Sequence, residues 1–319
     1  MDKPFIEQPR AVARAPFANP DAVLARPRRT LWGDVWRRFR QHRLAMLGLV
    51  VLSGVVLAVA IGPLVYRTPF NRVDFAAALQ GPSAAHPFGT NDLGQDILGR
   101  VLWGGRISVA VGVVSMLVAV TLGTLVGTLA GFCGGLLDTI LMRITDVFLA
   151  LPTLPLLLLV IYLFREPVSA AFGPNLGVLL LVVLIIGGLN WMAVARLVRA
   201  TFLSLREADF VLAARALGIP SCRIIVRHIL PNALGPVIVA ASLAVGAAII
   251  AESTLSFLGL GFPPDTPTWG RMLFEAQNFI EFAPAMALFP GLCIFLAVLS
   301  INYIGDGLRD ALDPQMRGG

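Results

Sequence analysis

The sequence predicts an all-α polytopic membrane protein with six transmembrane helices and both termini in the cytoplasm. Three observations predict it. The mean hydropathy is +0.80, and 57% of the 319 residues are hydrophobic against 14% charged, a balance that sets the membrane class before any motif is read. Six apolar stretches, about 44–66, 107–131, 136–163, 176–195, 234–258 and 283–305, are each long enough to cross a hydrocarbon core, which takes about 20 residues. With the N-terminus inside, all but six of the 25 basic residues fall in the inner segments 1–43, 132–143, 196–235 and 305–319; the six outside are Arg67, Arg72, Arg100, Arg106, Arg165 and Arg271. This asymmetry orients the chain.

Residues 1–30 carry Pro4, Pro9, Pro16, Pro20 and Pro27 among scattered arginines and read as a flexible cytoplasmic tail. The polar stretch ahead of the first apolar run is too long for the n-region of a cleavable signal, so that run is read as a retained signal anchor. The region 31–106 then comprises a surface helix, the first span and an outer loop. In 31–43, LWGDVWRRFRQHR, Trp32, Trp36 and Phe39 alternate with Arg37, Arg38, Arg40 and Arg43, which suits a short amphipathic helix on the membrane surface, aromatics inward. The outer loop 67–106 is punctuated by Pro87, Gly89, Gly94, Gly104 and Gly105, with a short helix expected from Asp96 to Trp103. His86, Asp92 and Asp96 have no metal-ligand spacing and read as residues whose hydrogen bonds fix the loop.

The region 107–310 holds the remaining spans. In the second, Gly123, Gly127 and Gly131 recur every four residues and form a stripe for close helix packing. The third begins polar, with Asp138, Arg143 and Asp146, and Leu151-Pro152 with Pro155 predicts a kink. Asp146 lies three residues after Arg143, so an i,i+3 pair is expected. Glu252 sits near the outer end of the fifth span, followed by Ser253, Thr254 and Ser256. Charge within membrane is costly, which makes Asp146 and Glu252 candidates for pathway residues or for polar contacts of the bundle. The last outer loop, 259–282, contains GLGFPPDTPTWG, Glu275 and Glu281, and 311–319 is a second cytoplasmic tail.

One polar island interrupts this apolar sequence: 206–232, READFVLAARALGIPSCRIIVRHILPN. Good helix formers run from Glu207 to Leu217. Gly218 predicts a C-cap and Pro220 forbids direct continuation. Ser221 is expected to cap a second short helix to about Ile229, closed by Pro231. The expectation is a helix–turn–helix outside the bilayer, either an amphipathic surface loop against lipid phosphates or a docking module for a soluble partner.

Several functions are excluded. Lys3 is the single lysine, so the chain has no GxxxxGK[ST] phosphate loop and hydrolyses no ATP itself. It has no HExxH or GxSxG, and His42, His86 and His228 are scattered; an enzyme is not expected. Cys133, Cys222 and Cys293 have no metal or disulfide spacing, so no metal or cofactor is expected in this chain. The net charge of +6 fits an anionic leaflet rather than nucleic acid.

The island resembles a known motif. Ala213-Ala214, three residues, Gly218, and then Leu230-Pro231 follow the EAA loop of ABC-importer permeases, E-A-A-x3-G-x9-I-x-L-P, with Leu212 in place of Glu and His228 in place of Ile. The words AARALG, RHILPN, HPFGTNDLGQDILGR, AESTLSFLGLG at 251–261 and GDGLRDALDP at 305–314 are similar to the dipeptide/oligopeptide/nickel branch, C-type subunit. The resemblance implies a type I ABC-importer permease fold and alternating access. It implies a heterodimer with a second permease, two ATPase subunits that use ATP and Mg, and an extracytoplasmic substrate-binding protein. The setting would be a bacterial or archaeal cytoplasmic membrane, the cargo peptides or a related small solute such as a nickel complex. Carried onto this chain, it makes Arg206, Glu207, Ala213, Ala214, Arg215, Gly218, Leu230 and Pro231 the ATPase-docking residues. The competing reading is an ATP-independent secondary transporter or channel, for which internal repeats and midplane charges would be expected and are not evident.

Overall fold

The computed structural model describes residues 31–312, and among them the regular secondary structure is helical. The tail expected over 1–30, the Trp32 side chain and most of the tail expected over 311–319 lie outside the described residues. The helices are α1 Leu31–Gln41, α2 Arg43–Val65, α3 Ile97–Cys133, α4 Gly135–Ala150, α5 Thr153–Phe172, α6 Pro174–Gly188, α7 Trp191–Leu205, α8 Asp209–Ala216, α9 Ser221–Ile224, α10 Leu230–Phe257, α11 Trp269–Ala276 and α12 Ala285–Leu312.

Six runs among the described residues are long and apolar enough to cross a membrane: α2, α3, α5, α6 with α7, α9 with α10, and α12. The expected number of spans is met, but several boundaries differ. The second run, Ile97–Cys133, begins ten residues earlier than expected and ends two later. Asp96 caps it, its Oδ1 accepting the Gly99 amide at 2.7 Å, so the short helix expected from Asp96 and the second span are one helix, α3. The boundary expected between 106 and 107 falls inside it. The third span is not one kinked helix over 136–163. Leu151 and Pro152 are both extended, because the proline ring drives the residue before it out of the helical region. The polar turns with Asp138, Arg143 and Asp146 therefore form a separate helix, α4, and the span starts at Thr153.

Prolines elsewhere do not break helices. Pro63 lies inside α2 and has no N–H for the carbonyl of Val59. Arg106, expected in the outer loop, instead projects from α3 and fills that vacancy: its Nε donates to Val59 O at 2.8 Å and Nη2 to Ala60 O at 2.6 Å. Pro231 likewise does not close the second short helix of the polar loop. A π turn over Ile225–Ile229 precedes it, with Leu230 N–H reaching Ile225 O. The wider turn makes room for the ring at the carbonyl four residues back. Ser221–Phe257 is consequently one unbroken run of 37 residues.

α3 is the central helix. Its glycine stripe faces α7: a β-carbon on Gly123 would lie 2.6 Å from Trp191 O, on Gly127 2.5 Å from Ala195 O, and on Gly131 2.6 Å from Phe202 Cβ. The two backbones approach as close as glycine permits. Val111, Leu157, Ile161, Val182, Ile186, Ala248 and Leu255 form the largest buried cluster, contributed by α3, α5, α6 and α10. Outward, Val50, Leu125, Leu159 and Phe295 are exposed, as suits helices solvated by lipid. α1 folds back on α12: Val35 and Phe39 bury against Ala45 and Ala311, and His42 Nε2 lies 3.6 Å from Asp310. Leu312 packs beside Gly235, and Arg206 beside Gly134. The 206–232 loop and both ends of the described chain thus share one end of the bundle, the near end.

A candidate docking loop at the near end of the bundle

The loop begins where α7 ends at Leu205. α8 carries Asp209 in its first turn and Arg215 in its last, each at the helix end whose partial charge favours it. Gly218 terminates it with φ +71. The Gly218 N–H donates to Arg215 O at 2.9 Å and the Ile219 N–H to Ala214 O at 3.1 Å, the paired bonds of a glycine C-cap. A β-carbon at Gly218 would meet nothing within 4 Å, so the glycine serves the backbone angle, not packing. Pro220, extended, starts α9: its carbonyl accepts the Arg223 and Ile224 amides at 2.9 and 3.1 Å. Ser221, expected as the cap, lies inside the first turn and makes no capping bond.

α8 is apolar on two faces. On the inner face Val211 and Ala214 join Ile224, Ile229 and Ala233 against Val198 and Phe202 of α7. On the outer face Phe210 (42% exposed) and Leu217 (80% exposed) flank the exposed Ala213. Spacings of three and four residues put these three in one row. Ala213 and Ala214, expected together among the docking residues, therefore part company: Ala213 faces out, and Ala214, 4% exposed, faces the bundle. Adjacent helical residues point about 100° apart, so both could not serve one surface. The row Phe210, Ala213, Leu217 was missed, although the same periodicity carries it.

The charged residues of the loop are partly turned inward. Arg206 donates to Gly131 O at 3.4 Å and to Glu207 at 3.0 Å. The Arg215 guanidinium stands 5.6 Å from the Phe132 ring centre. Leu230 packs at the edge of the inner cluster, and Pro231 is exposed.

Beside the loop, α4 is tied to α7 by two ion pairs. Arg199 grips both oxygens of Asp138, Nη2 to Oδ2 at 2.6 Å. That bond holds the Asp138 carboxyl below the usual carboxylate range, against the opposing effect of burial. Arg196 Nη2 meets Asp146 at 2.5 Å. Asp146 thus pairs across helices, not with Arg143 as expected, because α7 presents Arg196 along the same seam as Arg199.

The other candidates lie at the far end. Glu252, 0% exposed, accepts Ser108 Oγ–H at 3.1 Å and Ser256 Oγ–H at 2.8 Å. It is a hydrogen-bonded residue of the bundle interior. Asp96, besides capping α3, meets His86 Nδ1 and Tyr66 Oη, each at 2.8 Å; these bonds fix the 67–96 loop. Arg100, expected in an outer loop, is buried and paired with Glu275 at 2.8 Å. Among the described residues no group of three or more His, Cys, Asp or Glu could hold a metal.

Comparison with known proteins gives concordant matches. The family described as binding-protein-dependent transport system inner membrane component matches residues 123–318. The N-terminal TM domain of oligopeptide transport permease C matches residues 30–82. The dipeptide transport system permease protein DppC of Alkalihalophilus pseudofirmus is 41% identical over 286 residues, 90% of each chain. The glutathione transport system permease protein GsiD of Escherichia coli (strain 536) is 40% identical over 309 residues, 97% of each. A chain of the MetNI methionine ABC transporter, solved in inward-facing form, superposes with a TM-score of 0.54 and 20% identity over 66% of this chain and 94% of that one; at that identity the likeness is one of fold.

Proposed function

The chain belongs to the family of binding-protein-dependent transport system inner membrane components, and from that premise we propose that it is the membrane-spanning permease subunit of an ATP-driven importer of small peptides. The relatives at about 40% identity are named for a dipeptide and for glutathione, itself a tripeptide. Both termini and the 206–232 loop face the cytoplasm in this reading, on the strength of the basic residues gathered there. The partners are a second permease, two ATPase subunits that bind ATP and Mg, and an extracytoplasmic binding protein.

The observation that carries the proposal is the double apolar face of α8. One face is spent on the bundle. The other presents Phe210, Ala213 and Leu217 with no partner among the described residues. A short helix outside the bilayer with a second, uncovered apolar face is suited to docking on another protein surface. Glu207 and Asp209 at its exposed start add polar contacts at the rim. Closure of the ATPase pair on ATP would displace α8, and the inner-face cluster would pass the displacement to α9 and α10. Because Ser221–Phe257 is unbroken, the motion enters the membrane as a tilt of one helix, not as bending at Pro231.

Gentle purification of the chain from its native membrane, with mass spectrometry of what accompanies it, tests the reading. Recovery of a second permease and of phosphate-loop ATPases, with ATP-dependent peptide uptake after reconstitution, is expected. A chain recovered alone that moves solute in liposomes without ATP would overturn the reading in favour of a self-sufficient carrier or channel.

A further inference from the structure

The far end of the unbroken helix carries a second joint. Glu252 lies inside α10 with no ion-pair partner among the described residues. Its carboxyl takes hydroxyl hydrogen bonds from Ser108 of α3 and from Ser256, one turn on in α10. Ser108 Oγ in turn accepts the backbone N–H of Trp269, the first residue of α11, at 3.2 Å. Thr268, whose side chain caps α11 by accepting the Arg271 amide at 3.1 Å, stands 3.5 Å from Ser256 Oγ. Trp269 is fully buried, and its indole N–H reaches Val101 O at 3.1 Å. The backbones meet directly as well: a β-carbon on Gly270 would lie 2.5 Å from Ser253 Cα, and one on Gly261 2.5 Å from Ser256 Cα. A buried carboxyl retains its place only where hydrogen bonds satisfy it. Here those bonds join three helices and no more.

We propose that Glu252 is a positioning residue for transport: through Ser108 and Ser256 it locks the far end of α10 to α3 and α11. A displacement imposed at the near-end loop is thereby delivered to α11 and the far-end loop around it, where access from outside is controlled. Without the lock, α10 slides past α11 and the displacement is lost at the joint. The two ends of one helix are then the input and the output of coupling. The near end makes its contact through apolar packing, and the far end through a buried carboxyl with the close backbone approach around it.

This proposal rests on the permease reading, and its test keeps the two apart. The complete transporter, returned to lipid nanodiscs, is assayed for ATP hydrolysis without and with its binding protein saturated with dialanine or glutathione. Glu252→Ala and Ser108→Ala are expected to lower the stimulated-to-basal ratio by about fivefold or more, with basal hydrolysis within about twofold of the native rate. Glu252→Gln keeps a hydrogen-bonding group toward both serines and is expected to restore most of the ratio, which a loss of folding would not allow. In parallel, amide exchange of Gly270–Ala276 is expected to quicken in the two alanine variants and not in Glu252→Gln, with α7 unchanged. An unaltered ratio in the alanine variants, or unaltered protection of α11, overturns the proposal. If Glu252→Ala does not assemble, Ser108→Ala, which deletes one oxygen, decides the matter. Absence of stimulation in the native complex counts against the permease reading, and the exchange measurement then decides the joint by itself.

Discussion

Arg106 donates its Nε–H to the carbonyl of Val59 at 2.8 Å, the acceptor that Pro63, four residues further along α2, leaves without an amide. The hydrogen-bond gap that a proline leaves in a membrane helix is thus filled by a side chain from the next helix. Removing Arg106 strands a carbonyl in a medium with no water to replace the donor, at a cost of about 1–3 kcal/mol. In a Pro63→Ala background Val59 regains a backbone donor. Arg106→Leu is therefore expected to cost about 1 kcal/mol less there than in the native chain, a coupling that a double-mutant cycle of unfolding in detergent measures. Additive effects would count against this account of the Pro63 gap.

At Gly218 the requirement is the positive φ alone, since no atom crowds it. Gly218→Asn is expected to be tolerated and Gly218→Ala to cost about 1 kcal/mol. Gly218→Pro loses the amide that bonds Arg215 O and cannot reach the angle. It is expected to abolish uptake while membrane insertion persists. Transport assays on the three variants check the order.

The two faces of α8 predict opposite failures. Leu217→Asp and Phe210→Asp alter only the exposed row, so the chain should insert and unfold normally. Recovery of ATPase with it should fall by tenfold or more, about 1.4 kcal/mol or more of docking free energy. Ala214→Arg drives a charge into the cluster of Val211, Ile224 and Phe202 and should destabilise the chain itself. Pull-down beside thermal unfolding separates these outcomes; normal ATPase recovery with Leu217→Asp would remove α8 from the interface.

Along α3, Gly127→Ala places a methyl 2.5 Å from Ala195 O and should cost about 1–3 kcal/mol, as overpacking does. Gly188→Ala, where a β-carbon meets nothing within 4 Å, should be neutral or stabilising by up to about 1 kcal/mol. Thermal unfolding of both variants gives the contrast, and equal shifts would refute the close-packing role of the stripe.

The Asp138–Arg199 bond has a pH signature. Asp138 titrates lower in the folded chain than in the unfolded one. Its contribution is therefore fully present above the unfolded value, about 3.9, and is lost as pH falls through the lower folded value. Between pH 5 and 8 the difference in stability between native chain and Asp138→Asn should be constant, and it should shrink only in stronger acid. Unfolding of the two proteins across pH makes the comparison; a difference that closes near neutrality would point to another group.

The spans, the glycine stripe and the capping glycine were legible because each depends on residues close in sequence. Apolar length, a four-residue spacing and a helix end are local facts. The prolines were not legible. Pro152 breaks its helix while Pro63 and Pro231 do not, and what separates them is a donor from Arg106, remote in sequence, and a π turn that periodicity does not register. Asp146 was given a neighbour at i−3, yet its partner Arg196 stands on another helix. The inward turn of Ala214 was readable in principle, because Val211 and Ala214 share one helical face and Phe210, Ala213 and Leu217 the other. Motif spacing alone joined what helical geometry separates.

A helix of 37 residues is about 55 Å long, well beyond the hydrocarbon thickness of about 30 Å. An unbroken Ser221–Phe257 run is therefore a lever. If it pivots near its middle by about 10°, its two ends travel about 5 Å in opposite directions. A seesaw of that kind opens one side of a pathway by the same movement that shuts the other, and Pro231, lying within the run, does not cut the beam.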